Sequence, residues 1–545
     1  MSGYFRYQAI SAALLIVFCG DPIYATDIRD DEVRFVDSDW VDTNTRIGNQ
    51  TNGRLIIGPD GNLTTDYLHI GVNGSSGELI IRPGGRLTIG PSDFTNTNFG
   101  GSFDIPLTGS YEGQAFISIE GPGAALTVDR GDLNTVDIGA AGGTGIVMVS
   151  AGGRFLSTST SYDFGGIHIG GRNAGALRPS GRVVISDPGS EMWSAGRIIV
   201  GAYGAGSLDV INGGMTRAES SINIGNDAAT LAFDNRLLVS GAGSLASAGT
   251  FVTVGLLGRG TAVVSNGASL TTPEIRVADR AGSLGELAVG ARRGDAAQRA
   301  GFLDTASIRF GAGTGVLTLN HTDSHFVLAP NLSGAGTVDA LNGVTSLEGD
   351  NTLFTGRYTI AESAALIASR PQNVGTSDIT LEGGTLAINA QQDWRFSNNL
   401  AGVGQLQVDT NNNAFEFASS GLTSNLTGTL SLGATRFTLG AVNTEAVKNI
   451  DLILNSGSVM TVGAGEQQIA GLKLDGGTLN VGGINTDQRI ADNYVRTSGR
   501  LDISGAGTVQ VDLGGTGITA TPPNDSLPLL MQDEGNILAQ LVVAE

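Results

Sequence analysis

Metal or nucleophilic chemistry on this chain would have to run through four histidines, a single cysteine and an excess of carboxylates. His69 and His168 each occupy the middle of an apolar–polar–apolar–glycine phrase, Leu68-His69-Ile70-Gly71 and Ile167-His168-Ile169-Gly170. Other copies of the phrase place Thr88, Asp137, Asn223 and Thr253 in the same slot. At a two-residue period that slot points away from the core, so both histidines are expected as solvated strand residues. His321-Thr322-Asp323-Ser324-His325 has alternate polar residues that could share one strand face. His321 with His325 would then supply two metal ligands but no third, short of what a zinc site needs. There is no G-x-S-x-G and no serine-protease phrase. The glycine-rich nonapeptide that binds calcium in other β-rolls is also missing. Gly142-Gly143-Thr144-Gly145 follows a strand signal with no helix behind it, so it is a turn and not a phosphate loop. No catalytic, cofactor-binding or metal-ligating residue is assigned, and the chain is not expected to be an enzyme.

Two Arg-Gly-Asp triplets remain, Arg130-Gly131-Asp132 and Arg293-Gly294-Asp295. On a loop tip, the Asp of such a triplet can ligate the metal ion of an integrin while the Arg fills an acidic pocket. Both lie next to strand signals, where turns fall, so they are the candidate adhesion residues.

The elements that must carry these groups are unusually regular. The strand-ending phrase returns as Leu87-Thr88-Ile89-Gly90, Val136-Asp137-Ile138-Gly139, Ile198-Ile199-Val200-Gly201, Ile222-Asn223-Ile224-Gly225 and Val252-Thr253-Val254-Gly255. A glycine at each strand end permits a backbone corner with positive φ. Successive glycines are separated by 31 residues from Gly139 to Gly170 and again to Gly201, then by 24 to Gly225 and 30 to Gly255, with Ala278 in the matching position 23 further on. Long and short units therefore alternate. The short ones share a strand followed by Asn212-Gly213 or Asn266-Gly267, a turn signal because both residue types tolerate positive φ. No amphipathic helix is evident after the N-terminus. Such strand-and-corner units bury their apolar faces against neighbouring units, which predicts an all-β, right-handed parallel β-helix, a solenoid. At roughly 22 residues and about 4.8 Å per coil the rod would be on the order of 100 Å long.

Composition agrees. Gly makes up 83 of 545 residues, enough for every corner, and lysine occurs only at Lys448 and Lys473. The net charge of −21 argues against nucleic acid as a partner, because phosphate binding needs clustered positive charge. Arg6 and the apolar run from Ala12 to Phe18, with Ala25 before Thr26, read as a secretory signal peptide. Phe18 is bulky where a lipobox before Cys19 wants a small residue, so lipidation is not expected. Cleavage after Ala25 leaves no cysteine, which suits a chain that crosses membranes unfolded. No later segment is long and apolar enough for a transmembrane helix.

Certain phrases also carry a family resemblance. Leu332-Ser333-Gly334-Ala335-Gly336-Thr337-Val338, followed by Leu347-Glu348-Gly349-Asp350-Asn351-Thr352-Leu353-Phe354-Thr355-Gly356, is similar to a passenger-associated repeat of Gram-negative autotransporters. So is Ala470-Gly471-Leu472-Lys473-Leu474-Asp475-Gly476-Gly477-Thr478-Leu479, and Leu529-Leu530-Met531-Gln532-Asp533-Glu534-Gly535-Asn536 resembles a stretch near passenger ends. From about residue 60 to 545 the chain resembles passengers of type V secretion, the AIDA and pertactin-like group. The resemblance implies an adhesin or autoaggregation and biofilm factor at the cell surface or outer membrane. Implied partners are a second copy, a host or cell-surface receptor, or a glycan. The expected organisation is signal peptide 1–25, N-terminal cap 26–58, alternating long and short repeats 59–315, a second β-helix segment 316–515 and a tail 516–545. That tail leaves no room for the outer-membrane β-barrel with which the family ends. The expectation is a fragment or truncated reading frame, at the cell surface if joined to a barrel and otherwise in the periplasm, with export by a separate translocator as the alternative. Two other functions stay open, a carbohydrate-active β-helix enzyme and a non-functional remnant. The enzyme would need sugar platforms, and Trp40, Trp193 and Trp394 lie far apart in sequence.

Overall fold

The structure, a computed structural model, describes residues 26–90, 104–106, 113–129, 135–140, 142–160, 166–171, 179–423, 425–481, 493–502, 507–511, 526–532 and 536–542. The signal-peptide segment 1–25 lies outside them. The chain divides into two compact units, Met1–Gly285 and Glu286–Glu545.

In the first unit each rung contributes three short strands, one to each of three parallel sheets. Glu191–Ser194 belongs to sheet 1, Arg197–Val200 to sheet 2 and Ala205–Ile211 to sheet 3. The next rung repeats the order with Met215–Ala218, Ser221–Ile224 and Asn235–Ser240. Pairing is parallel and in register: Met192 lies beside Thr216, Ile198 beside Ile222 and Leu208 beside Leu237. This is a right-handed parallel β-helix. The segment 26–58 is built the same way, with Thr26–Ile28 paired in parallel to Thr45–Ile47.

Like side chains stack on like along the interior. Val136, Ile167, Ile198, Ile222, Val252 and Ile275 form one fully buried row of sheet 2. Ile117, Val147, Val183, Leu208 and Leu237 form another in sheet 3. β-Branched residues suit this arrangement because their side chains pack well against identical neighbours on a pleated surface. Each such side chain taken out of water contributes about 1.5–3 kcal/mol.

The corner from sheet 2 to sheet 3 is turned by five of the predicted glycines, whereas Gly90 follows Arg86–Ile89, a strand of sheet 1. Gly139, Gly170, Gly201, Gly225 and Gly255 have φ between +67° and +78°, and Ala278, in the matching position, has +52°. At Gly225 a Cβ would sit 2.3 Å from the carbonyl oxygen of Arg259 in the next rung, so backbone packing excludes a side chain as well. The alternation of long and short units is located at this same corner. Short units cross it in residues 202–204 and 256–258, whereas a long one spends 226–234 there. That stretch holds a 3-10 turn, Ala228–Ala232, capped by the Asp227 side chain. Asn235 then stitches the rungs, accepting from Gly206 N at 2.8 Å and donating to Arg259 O at 3.1 Å. The Asn-Gly turns form as expected, with positive φ at Asn212, Gly213, Asn266 and Gly267.

The second unit is also a parallel β-helix, and three of its strands run long. Thr337–Leu347, Asp378–Asn389 and Leu400–Asp409 each run through what would otherwise be a strand break, with Gly343, Gly383 and Gly402 at positive φ inside them. A further sheet stacks Trp394–Phe396, Ala414–Phe417, Arg436–Leu439 and Val459–Val462. Its inner face is aromatic: Phe396, Phe415, Phe417 and Phe437 lie with neighbouring centroids 5.2–6.3 Å apart. The α-helix Ala441–Val447 was not anticipated. Its buried residues include Asn443 and Thr444, so it lacks the apolar periodicity that announces a helix. Asn443 accepts from Phe417 N and donates to Thr438 O, which fixes the helix by polar contacts. The strands Ser526–Gln532 and Asn536–Val542 pair antiparallel.

Candidate functional site

Of the two candidate adhesion triplets, Arg130-Gly131-Asp132 lies outside the described residues. Arg293-Gly294-Asp295 forms the exposed tip of a tight turn, with Gly294 at φ +89° and open space where its Cβ would be. The turn is held firmly. Asp295 N donates to Arg292 O at 3.2 Å, and Asn320 Nδ2 donates to the carbonyls of Arg292 and Asp295 at 3.0 and 2.9 Å. Arg293 N donates to Glu286 Oε1 at 3.1 Å, and Glu286 in turn accepts from Thr318. The Arg293 guanidinium hydrogen-bonds the nearly buried Asp339 carboxylate, which keeps it still more firmly protonated. Of the triplet's two charged groups, Asp295 is thus presented outward while Arg293 is directed back onto the β-helix. Asp339 lies 46 residues from Arg293, too far for any local pattern. A count of rungs, which aligns Thr318 with Asp339 on the outer face, is the signal that would have found it.

The expectation for His168 is overturned. It is 4% exposed, and Asp137, Asn223 and Thr253 in the same slot are buried too. Across the corner the outer row of sheet 3 is covered at Val184, Asp209 and Val263, while Leu238 in the same row is half-buried and Met148 is exposed. The corner is therefore a crease, and the outward slot of sheet 2 faces into it instead of into water. His168 Nδ1 lies 3.2 Å from Asp137 Oδ1, too poorly aligned for a hydrogen bond. On the sheet 3 side Asp209 is clamped by Arg182 at 3.2 Å and Arg236 at 2.7 Å. His69, earlier in the row, is half-buried.

His321 and His325 do not share a strand face. The strand Thr314–Asn320 ends just before them, and residues 322–325 are irregular. His321 is fully buried while His325 is exposed, so the pair cannot converge on one ion. Among the described residues no three His, Cys, Asp or Glu side chains gather as a metal site. His321 Nε2 lies 2.8 Å from Thr345 Oγ1, its ring packs on Phe326, and burial pushes the imidazole below its ordinary value against the opposing pull of Asp323.

A half-open cavity of about 390 Å³ lies in the second unit beside the helix, lined by Asp393, Glu416, Arg436, Thr438, Asn443 and Thr461 among others. Its polar groups are largely spent inside the fold. Asp393 accepts from Ala414 N, Arg436 donates to Asn412 O, Glu416 pairs with Arg395, and both ends of Asn443 are engaged. Trp394 is buried and offers no ring to a ligand, whereas Trp40 and Trp193 are half-buried.

The outward slots elsewhere form polar ladders. Thr64, Thr88 and Thr127 stand in register on neighbouring rungs of sheet 1. In the second unit Thr438, Thr461, Asn480 and Gln510 do the same.

No family model matches the chain. It is 28% identical over 94% of its length to the uncharacterised protein YuaQ of Escherichia coli K12, and 29% identical over 64% to the uncharacterised lipoprotein YdeK of the same strain. Over half of its length it is 26% identical to the adhesin BmaC, an autotransporter of Brucella suis biovar 1. The chain spans only part of these relatives, 37% of YuaQ, 28% of YdeK and 8% of BmaC. A TibC-catalyzed, hyper-glycosylated TibA fragment aligns over 93% of this chain and 98% of that one at 12% identity, with a TM-score of 0.24, too low to bear on function. The passenger-like phrases and the β-helix thus agree with the sequence comparison, in which the chain is similar to an autotransporter adhesin.

Proposed function

We propose that the chain is an exported, adhesin-type passenger that binds through the outer surface of its β-helix and carries out no catalysis. The observation that carries this reading is the similarity to BmaC, an autotransporter adhesin, across half of the chain. The ladders Thr64–Thr88–Thr127 and Thr438–Thr461–Asn480–Gln510 support it, because they repeat uncharged hydrogen-bonding groups once per rung. Such a surface suits a hydroxyl-rich partner, either a glycan or the same face of a second copy. Export is supported by relatives that are a lipoprotein and an autotransporter, together with the signal-peptide pattern before Thr26. Asp295 at the tip of its turn is an additional contact point for a partner that holds a metal ion.

The test is attachment of beads coated with the purified chain to cultured cells and to one another. Thr88→Arg with Thr461→Arg would place a long cation on each ladder. Attachment is expected to fall at least fivefold, with the far-UV spectrum unchanged. Binding no greater than that of albumin-coated beads would overturn the reading. Asp132→Ala with Asp295→Ala separately decides whether the triplets contribute.

A further inference from the structure

The loop 291–300, which carries Arg293-Gly294-Asp295, is tied down at its far end by a carboxylate that has two possible partners. Asp323 Oδ2 accepts from Ala300 N at 2.7 Å. The same oxygen lies 3.9 Å from Nδ1 of the fully buried His321. That nitrogen makes no well-formed hydrogen bond, although the Asp323 main chain also acts on the ring, while Nε2 is occupied by Thr345. The other groups packed around the ring, Gln298, Thr345, Phe326 and Gly343, are uncharged. Arg293 is paired with Asp339 and Arg292 with Glu286, and Asp295 and Arg299 are exposed. Asp323 is therefore the carboxylate available to a charged His321.

We propose that Asp323 acts as an acid-driven latch, leaving Ala300 N for His321 Nδ1 when the imidazole takes up a proton, so that the 291–300 loop loosens. A buried imidazolium must find a hydrogen-bonding counter-charge or the rung opens. Reaching the distance of a charge-assisted hydrogen bond, about 2.7–2.9 Å, requires Asp323 to move roughly 1 Å toward the ring. The proton comes from solvent and leaves both ring nitrogens as donors, Nε2 to Thr345 Oγ1 and Nδ1 to Asp323, and the backbone amide of Ala300 loses its acceptor. Because burial disfavours the charged ring, the latch releases at a lower pH than an exposed histidine would charge. The inference concerns the mobility of the loop and stands whether or not the triplet binds a receptor.

Peptide-resolved hydrogen–deuterium exchange on the full chain tests it, at pH 7.5 and pH 5 with the intrinsic exchange rate divided out. Protection at Ala300 is expected to drop roughly fivefold to tenfold on acidification, the loss of one hydrogen bond. His321→Gln, which cannot charge, should abolish the response. Asp323→Asn should leave the loop open at both pH values, and it gives an independent reading if His321→Gln folds poorly. Protection at Ala300 that does not change with pH in the unaltered chain would overturn the latch, as would a response that survives His321→Gln.

Discussion

The two units close the same kind of rung by different means. In the first, the chain bends because its backbone adopts a left-handed conformation at one glycine per rung, and the interior is filled by stacked valine, isoleucine and leucine. In the second, buried asparagines do much of the bending. Asn351 accepts from Leu332 N at 2.7 Å and donates to Asn373 O at 2.6 Å, Asn373 donates to Gly349 O, and Asn398 donates to Gly375 O and Ser377 O. Aromatic rings also concentrate there: of the largest fully buried aromatic side chains among the described residues, Trp394, Tyr358, Phe354, Phe396, Phe415 and Phe437 lie in the second unit and Phe155 in the first. A corner made by backbone conformation needs little from side chains, so the interior can be uniform and aliphatic. A corner made by carboxamides depends on particular side chains, and the interior beside it takes rings. The first device resists substitution through sterics, the second through hydrogen bonds that have no replacement.

The sharpest break is expected in the aromatic stack. Phe415→Ala removes a ring in contact with Phe396, Phe417 and Phe437, and should cost about 4 kcal/mol, read as a lowered urea midpoint. Next comes Asn351→Ala, which strands Leu332 N and Asn373 O in a buried site and should cost about 3 kcal/mol by the same measurement. A loss below about 1 kcal/mol would mean that the asparagine ladder is not what holds those corners. The gentlest comparison sets Gly225→Ala against Ala278→Gly. The first puts a Cβ against Arg259 O at positive φ and should cost about 2 kcal/mol. The second relieves strain at φ +52° but frees the unfolded chain and loses a buried methyl, so it should lie within about 0.5 kcal/mol of zero. Equal effects at the two positions would contradict the steric account of the corner.

Much of the first unit was legible because its signals are local. A glycine after an apolar–polar–apolar triplet announces both the strand and the corner, and Asn-Gly announces the next turn. The difference between long and short units could be measured from sequence, although its place between sheets 2 and 3 could not. The crease was hidden for the same reason: alternation says which side chains leave the core, not whether the sheet then folds back over them. His168 was misjudged on that account. In the second unit Asn351, Asn373 and Asn398 look like surface turn residues, and only their partners about twenty residues away show that they are structural. Asp339 and Asp323, which hold the 291–300 loop, are concealed by sequence distance in the same way.

The crease also divides the surface into parts with different futures. On sheet 1 the outward residues, such as Thr88 and Thr127, can be exchanged with little effect on the core rows behind them, so new binding specificities can accumulate there by single substitutions. Along sheet 2, from Asp137 to Thr253, the outward residue is as enclosed as the inward one, and a change there must satisfy two packings at once. Variation among descendants of this chain should therefore be banded, with drifting stripes on the open faces and one strip along the crease that changes slowly.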